Sequence, residues 1–187
     1  MTITNATAMS LAKARGLRAH TGALLVSILG AHEAQARRRP ALAGWRSVLV
    51  LEFEDACENE IARSGPAGDW PLEPTQDEHA AILGAGRGRV PALSDARKIV
   101  QFVARHHASD EPLRLIVHCQ AGVSRSVMVA HKVQHWLGLA EDSRVASCLP
   151  YANQRLARLL ELARLEVPEA NLGGAGDMQR RRKPAGP

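Results

Sequence analysis

The sequence predicts an α/β domain in which a central, mainly parallel sheet is flanked by helices. Three short apolar runs, at residues 23–29, 45–53 and 113–117, have the length of strands and are bounded by glycine, proline or polar residues. Strands that are apolar along their length are typical of parallel sheets, which are covered on both faces. Helical patterns alternate with these runs, which is the order of elements in α/β proteins.

The helices are predicted from their caps and from the spacing of apolar residues. Thr75 and Glu78 have the form of a capping box, and Ser94 and Asn153 are expected to cap two later helices. Pro150 should end the sixth of these helices and so separate it from the last one. The expected helices cover, in chain order, residues 10–18, part of 31–44, 75–83, 94–103, 126–137, 141–149 and 153–163.

One domain with two tails is the simplest organisation for a chain of 187 residues. Residues 1–9 are small and polar and are expected to be frayed, whereas residues 10–167 form the domain. Residues 168–187 are basic and rich in Gly and Pro, so we expect a disordered tail. Within the domain, residues 58–91 are expected to be a loop-rich insertion that contains one short helix.

Charge and cysteine content narrow the class of function. The net charge of +5 suits an anionic ligand, but much of the excess lies in two runs, 37–39 and 180–183. We interpret both runs as solvated loops rather than as a nucleic-acid surface. The three cysteines, Cys57, Cys119 and Cys148, are odd in number and scattered, which excludes a disulfide framework and favours a cytoplasmic location.

A secretory signal is an alternative interpretation of the first apolar run. Lys13, Arg15 and Arg18 precede the run, and Ala34-Gln35-Ala36 has the form of a cleavage site. The run is short, however, and its removal would take a strand from the sheet. We therefore interpret it as a strand. No segment is long enough to span a bilayer, so no membrane partner is expected.

The stretch with the most candidate catalytic residues joins the third apolar run to the helix that follows. A cysteine and an arginine are separated there by five residues, in the order His118-Cys119-Gln120-Ala121-Gly122-Val123-Ser124-Arg125-Ser126. A loop between a strand and a helix N-terminus can turn successive N–H groups into one concavity that binds anions. Thiols in such a field ionise readily, and a guanidinium grips two oxygens of a phosphate. These features predict phosphoryl transfer through a cysteinyl-phosphate.

Each residue of this stretch has an expected role. Cys119 is the nucleophile, and Arg125 together with the loop amides holds the equatorial oxygens. Ser126 is expected to hydrogen-bond the sulfur, with a helix cap as the alternative, and His118 is expected to order the loop through hydrogen bonds. Gly122 should allow a tight turn close to the phosphate. The expected phosphate-binding residues are His118, Gln120, Ala121, Gly122, Val123, Ser124 and Arg125.

These nine residues resemble the His-Cys-x5-Arg-Ser/Thr signature of cysteine-based protein phosphatases, the tyrosine and dual-specificity group. The chain is similar to small bacterial members of this group over roughly residues 10–166. The resemblance implies a protein-tyrosine-phosphatase-like, dual-specificity-like fold. It also implies hydrolysis of phosphotyrosine, or dual-specificity activity, on a phosphorylated protein or a small phosphate monoester. The remaining histidines lack metal-ligand spacing, so neither a metal nor a cofactor is expected.

Members of this family carry an aspartate on a separate loop, which protonates the leaving oxygen and then activates water. Asp55 is the preferred residue for this role. It lies just past the second predicted strand, at the sheet edge from which Cys119 projects, and ligands of open α/β sheets bind at this edge. Its setting also resembles the Phe-x-Asp arrangement of some small bacterial members.

Other carboxylates remain alternatives for the acid. Asp95 stands in the first turn of a helix, where it stabilises the helix dipole. Asp69 and Asp77 flank a Trp-Pro pair that resembles the Trp-Pro-Asp loop of the tyrosine-specific branch, but a leucine takes the place of that aspartate. Glu54, or no acid at all, is also compatible with the sequence.

Two other functions are compatible with the same stretch. The first is the same chemistry on a phosphoinositide, a nucleotide or an RNA 5′-phosphate. Against the first of these substrates, Gln120 and Val123 stand where phosphoinositide-specific members tend to carry lysines. The second is a phosphate-binding module without turnover, which the open question of the acid allows.

Overall fold

The computed structural model of the chain describes residues 3–34, 40–56, 71–108, 110–168 and 171–172. At its centre lies a four-stranded sheet in which every pair of neighbouring strands is parallel. The strands are β1 (Ile3–Ser10), β2 (Ala23–Leu29), β3 (Ser47–Glu52) and β4 (Leu113–Cys119). Their spatial order is β1-β4-β2-β3. The predicted α/β class with a parallel central sheet is confirmed.

Helices flank this sheet, and most of them were predicted from the sequence. They are α1 (Leu11–Gly16), α2 (Ala31–Ala34), α3 (Gln76–Leu83), α4 (Leu93–His107), α5 (Arg125–Leu137), α6 (Ser143–Cys148) and α7 (Gln154–Leu165). A single 3₁₀ turn, Leu149–Tyr151, contains Pro150 and separates α6 from α7. Among the residues that the structure describes, no helix has the length and apolar character needed to cross a bilayer.

The frayed segment predicted for residues 1–9 is wrong for residues 3–9, which belong to β1. This strand pairs with β4 along its length, from Ile3 beside Leu113 to Ser10 beside Cys119. Ile3 and two alanines of the strand are buried in the core. Apart from Met9, the remaining residues of the strand are small and polar, so the segment lacks the apolar run by which the other strands were identified.

The two faces of the sheet are covered unequally. One face carries the main core, to which α4, α5 and α7 contribute buried aliphatic side chains. The other face carries a small cluster around Trp45, which packs with Leu25 and Ile116. Cys119 belongs to the main core and therefore lies on the face that α5 covers.

Local capping explains where two helices begin, and it corrects the start of a third. The capping box of Thr75 is present at α3, and the side chain of Asn153 accepts a hydrogen bond from the first turn of α7. Ser94 does not cap α4, which begins one residue earlier. Instead, the Asp95 carboxylate accepts a hydrogen bond from the N–H of Ala92, at 3.0 Å, and takes over the role of the cap.

Two of the predicted segments lie partly outside the described residues. Of the 58–91 insertion, the structure describes residues 71–91, which contain α3 and turns. Of the predicted basic tail, it describes Pro168 and residues 171–172. Leu172 is fully buried in the main core, so the packed domain reaches past the expected boundary at residue 167.

Candidate active site

The cysteine and the arginine of the motif stand at the two ends of one short connection. Cys119 is the last residue of β4 and Arg125 is the first residue of α5, so residues 120–124 form the whole link between strand and helix. Gln120 and Ala121 are exposed, whereas Gly122 is buried. We call residues 120–124 the phosphate loop. The predicted strand–loop–helix context of the motif is present.

The sulfur of Cys119 lies beside a hydroxyl group. Its Sγ is 3.1 Å from the Oγ of Ser126, which stands in the first turn of α5. Both side chains are buried, and that of Cys119 is 1% exposed. The sulfur is therefore shielded from bulk water, and its polar neighbour is the hydroxyl that the sequence placed there. No side-chain hydrogen bond caps α5, so this serine does not act as the cap.

Three carbonyl groups of the phosphate loop, two residues apart, are held by donors outside the loop. The Gln120 carbonyl accepts from the N–H of Leu11 (3.1 Å), the Gly122 carbonyl from Nη2 of Arg144 (3.3 Å), and the Ser124 carbonyl from the N–H of Met128 (3.0 Å). In a trans peptide unit the N–H points opposite to the C=O, and the chain has no cis peptide bond among the described residues.

The N–H groups that follow these carbonyls belong to Ala121, Val123 and Arg125, and they therefore point away from the outer partners. None of the N–H groups of residues 120–126 donates a hydrogen bond within the described part of the chain. Unpaired amides in succession, next to a helix N-terminus, are the arrangement that binds anions.

Gly122 is required by its backbone and by its surroundings. Its φ of +73° lies in the left-handed region that other residues avoid. A Cβ at this position would lie 2.3 Å from the N of Ser10 and 2.4 Å from the carbonyl carbon of Met9. The tight turn expected at this glycine is thus present. The close approach that the structure shows is to the end of β1.

Arg125 reaches from the start of α5 to the end of β3. Its Nη1 donates to the carbonyl of Phe53 at 2.7 Å, and its Nε lies 4.0 Å from Oδ2 of Asp55. The side chain is 3% exposed, and Nε makes no hydrogen bond among the described residues. A buried guanidinium with an unused donor favours an anion at this point.

Asp55 contacts the phosphate loop directly. Its Oδ1 accepts hydrogen bonds from the Ser124 hydroxyl (2.7 Å) and from the Asn153 amide (2.9 Å). Its Oδ2 faces Arg125, and 39% of its side chain is exposed. The carboxylate is therefore fixed through one oxygen, while the other oxygen faces the guanidinium.

The other carboxylates considered for the acid differ from Asp55 in their surroundings. Asp95 is fully buried and binds Arg89 through both oxygens, at 2.5 and 2.6 Å. Asp77 lies in the exposed first turn of α3, and Glu54 accepts a hydrogen bond from the backbone at the start of α2. Asp69 lies outside the described residues. Of the described candidates, only the aspartate that follows β3 contacts the phosphate loop.

His118 does not order the loop as the sequence predicted. Neither ring nitrogen has a hydrogen-bond partner among the described residues. Burial, and then the charge of Arg125, lowers the pKa of His118 to about 4, although the backbone of Cys119 acts in the opposite direction without reaching hydrogen-bond geometry. Successive side chains of a strand alternate between faces. The ring therefore lies on the face opposite to the sulfur, in register with Ser27 of β2.

A cleft of about 540 Å³ opens beside Asp55. It is lined by His32, Glu54, Asp55, Ala56, Ile82, Leu83 and Arg87. This lining includes the carboxylate but none of the phosphate loop, so Asp55 stands between the cleft on one side and the loop on the other.

Two residues of the site were not identified from the sequence. Asn153 was expected only as a helix cap, but its amide also binds Asp55 and the carbonyl of Ala56. Arg144 was not considered, although it binds the loop. The one local signal for Arg144 is a basic residue in the first turn of a helix, where the dipole favours an acidic one.

Neither a metal-binding arrangement nor a comparison with known proteins identifies the function of this site. Among the described residues, no group of His, Cys, Asp and Glu side chains is arranged to hold a metal ion. The chain matches no protein-family model, no curated protein and no solved structure. What the site does must therefore be inferred from its own geometry.

Proposed function

We propose that this chain is a cysteine-dependent phosphomonoesterase with a protein-tyrosine-phosphatase-like fold of the dual-specificity kind. The observation that carries the proposal is a convergence at one edge of the sheet. The Cys119 sulfur beside a hydroxyl, a run of unpaired amides and the buried guanidinium of Arg125 all lie within residues 119–126, and the Asp55 carboxylate contacts Ser124 and faces Arg125. Nucleophile, oxyanion site and acid are the three parts that this reaction needs.

In the first step, the Cys119 thiolate attacks the phosphorus of the ester. The S–P bond forms, the ester P–O bond breaks, and the departing oxygen takes a proton from the Asp55 carboxyl. The loop amides and Arg125 hold the three equatorial oxygens, over which negative charge spreads. The 4.0 Å separation of Asp55 and Arg125 supports this division of roles, because the two groups are close without being locked together.

In the second step, water attacks the cysteinyl-phosphate while the Asp55 carboxylate takes its proton. The S–P bond breaks, inorganic phosphate leaves, and the sulfur departs as a thiolate. The Ser126 hydroxyl, 3.1 Å from the sulfur, is placed to donate a hydrogen bond to that thiolate as it forms. The acid is thereby restored for the next turnover.

The proposed substrates are phosphotyrosine proteins or a dual-specificity set, on the strength of the motif. A panel of substrates sharpens this choice, because para-nitrophenyl phosphate, a phosphotyrosyl peptide, a phosphoseryl peptide, a soluble phosphoinositide and a 5′-phosphorylated RNA probe the competing classes. Preference for the phosphotyrosyl peptide supports the proposed class. Preference for the phosphoinositide or the RNA would leave the proposed mechanism in place but contradict the proposed substrate class.

Turnover of para-nitrophenyl phosphate by the wild type and by Cys119→Ser tests the mechanism. The wild type should hydrolyse the ester and accumulate a phosphorylated form that acid quenching traps. The variant should form neither product nor phosphoenzyme, yet still bind tungstate. Hydrolysis that persists in Cys119→Ser contradicts the nucleophile assignment.

A phosphate-binding module is the second candidate, and one observation favours it. The Cys119 side chain is 1% exposed and belongs to the main core, which is less access than a nucleophile needs during reaction. Wild-type protein that binds tungstate without hydrolysing any aryl phosphate would support the module over the enzyme.

A further inference from the structure

We propose that Arg144 is a positioning residue, which holds the peptide unit between Gly122 and Val123 in the orientation that a bound oxyanion requires. The inference rests on the proposed function, because it assumes that the phosphate loop binds a tetrahedral anion. It assigns a role in that loop to an arginine that lies outside the motif, on α6.

The position of Arg144 is set by its own helix. Asp142 caps α6, and its Oδ1 accepts hydrogen bonds from the N–H of Arg144 (2.9 Å) and of Val145 (3.2 Å). Val145 is fully buried in the main core. The backbone from which the guanidinium extends is therefore anchored on both sides of Arg144.

The guanidinium has one hydrogen bond among the described residues, and that bond goes to the loop. Nη2 donates to the carbonyl of Gly122 at 3.3 Å, whereas Nε is buried without a partner. A carboxylate partner is likewise missing from the ion pairs of the described residues. The side chain therefore lies against the phosphate loop without a competing partner to direct it elsewhere.

The Gly122 carbonyl needs such a donor more than its two neighbours in the loop do. The carbonyls of Gln120 and Ser124 are held by backbone N–H groups at the starts of α1 and α5, which are fixed by the fold. Gly122 has the greatest backbone freedom of any residue type. On one side it is pressed against the end of β1, and on the other side its carbonyl meets Arg144.

Loss of this donor should free the peptide unit to rotate. The N–H of Val123 would then no longer be held opposite to Arg144, and binding an anion would have to reorder it. One hydrogen bond of this kind corresponds to roughly a tenfold change in affinity. We therefore expect Arg144→Met to weaken tungstate binding about tenfold and to lower kcat/KM for para-nitrophenyl phosphate by a similar factor.

The experiment measures tungstate affinity by calorimetry, together with kcat/KM and the melting temperature. The variants are Arg144→Met, Arg144→Lys and the matched control Arg46→Met. Arg46 pairs with Glu111 at the opposite edge of the sheet, so its loss removes the same charge without touching the loop. Arg144→Lys, which keeps one donor and the charge, should recover part of the affinity. If Arg144→Met folds, an affinity equal to that of the wild type overturns the proposal. If it does not fold, Arg144→Lys is the test protein, and a wild-type affinity in that variant overturns the proposal.

Ionic strength separates positioning from simple attraction. In about 0.5 M salt, charges further apart than roughly 4–5 Å are largely screened, so a loss that survives this condition supports positioning. A loss that vanishes in salt, or one that Arg46→Met reproduces, overturns it. If the wild type itself neither binds tungstate nor hydrolyses the ester, the proposed function fails. If the wild type does both and Arg144→Met matches it, only the role of Arg144 fails.

Discussion

The chain contains two arginine–aspartate pairs that differ in geometry and in exposure. Arg89 and Asp95 meet through two hydrogen bonds of 2.5 and 2.6 Å, and the aspartate is fully buried. Arg125 and Asp55 approach only to 4.0 Å, and here the arginine is buried while the aspartate is 39% exposed. We call the first the closed pair and the second the open pair.

The two pairs differ in which ion is buried: the carboxylate in the closed pair and the guanidinium in the open pair. In the closed pair the buried carboxylate is fully satisfied by its arginine and by the N–H of Ala92. In the open pair the buried guanidinium has an unused Nε, which is costly unless an anion joins it. A satisfied pair stabilises the fold, whereas an unsatisfied one has capacity for a ligand. Each prediction below alters one pair or its neighbours and leaves the other intact.

Removal of the nucleophile next to the open pair should have a severe effect on turnover and a small one on stability. For Cys119→Ser we expect kcat for para-nitrophenyl phosphate to fall by at least about 10⁴-fold, because a hydroxyl does not replace the thiolate. The melting temperature should fall by only a few degrees, because the Ser126 hydroxyl offers the new hydroxyl a hydrogen-bond partner in the core. Stopped assays with product detection measure the first quantity, and thermal unfolding measures the second.

Amide substitutions in the two pairs should give opposite results. Asp55→Asn should lower kcat about 10²–10³-fold for alkyl phosphates, which have poor leaving groups, and far less for para-nitrophenyl phosphate. Asp95→Asn should instead cost about 2 kcal/mol of stability, or roughly 4–8 °C in melting temperature, with kcat nearly unchanged. If Asp55→Asn lowers kcat by the same factor for alkyl phosphates and for para-nitrophenyl phosphate, Asp55 is not the general acid.

The buried histidine next to the open pair should make the stability of the fold depend on pH. Burial and Arg125 hold the pKa of His118 near 4, below the usual value of 6.5. Between pH 4 and pH 6.5 this histidine binds more protons in the unfolded state than in the folded state. Its contribution to stability is therefore fully present above pH 6.5 and is lost as the pH falls toward 4. From pH 7 to pH 4.5 the wild type should lose roughly 2–3 kcal/mol more than His118→Gln in urea unfolding. Parallel curves for the two proteins would contradict this.

His79 lies near the closed pair, and there the charges of the arginine and the aspartate act on its pKa in opposite directions. The pKa of His79 is lowered first by burial and then by Arg89, while Asp95 raises it. A second variant, His79→Gln, should therefore depart from the wild type in the same direction as His118→Gln but by a smaller amount. Urea unfolding at the same two pH values makes the comparison.

A smaller effect is expected from the hydroxyl beside the sulfur. Ser126→Ala removes the partner 3.1 Å from Cys119 Sγ and should slow breakdown of the cysteinyl-phosphate about tenfold, which is the size of one hydrogen bond. Rapid mixing should then show a burst of para-nitrophenol followed by a slower steady state. If the burst rate falls while breakdown is unaffected, the hydroxyl acts in the first step instead.

Much of the fold could be predicted because its signals are local. Strands β2 and β4 are apolar nearly throughout, and the caps at Thr75 and Asn153 lie within a few residues of the helices they begin. Strand β1 was missed because only its pairing with β4 makes it a strand. The start of α4 was misplaced because a carboxylate three residues into the helix takes over from the expected hydroxyl.

The candidate site was predictable only where the motif is contiguous. Cys119 and Ser126 are only seven residues apart, at the end of β4 and the start of α5, and their contact was predicted from the sequence. The contacts of Asp55 with Ser124 and Asn153 join residues 69 and 98 positions apart. The orientation of His118 follows from strand alternation, which puts neighbouring residues of β4 on opposite faces, and the sequence prediction did not apply this rule. The contact of Arg144 with the loop depends on how α6 packs, and its one local signal is a basic residue in the first turn of a helix.

The position of β4 between β1 and β2 has a consequence for how the protein is made. Ile3 pairs with Leu113, so a ribosome must add more than a hundred residues before the first strand finds its neighbour. Until then the phosphate loop lacks both the wall that Met9 and Ser10 provide and the N–H of Leu11 that holds Gln120. The reaction centre is thus completed late in synthesis, when β4 inserts between strands made long before it.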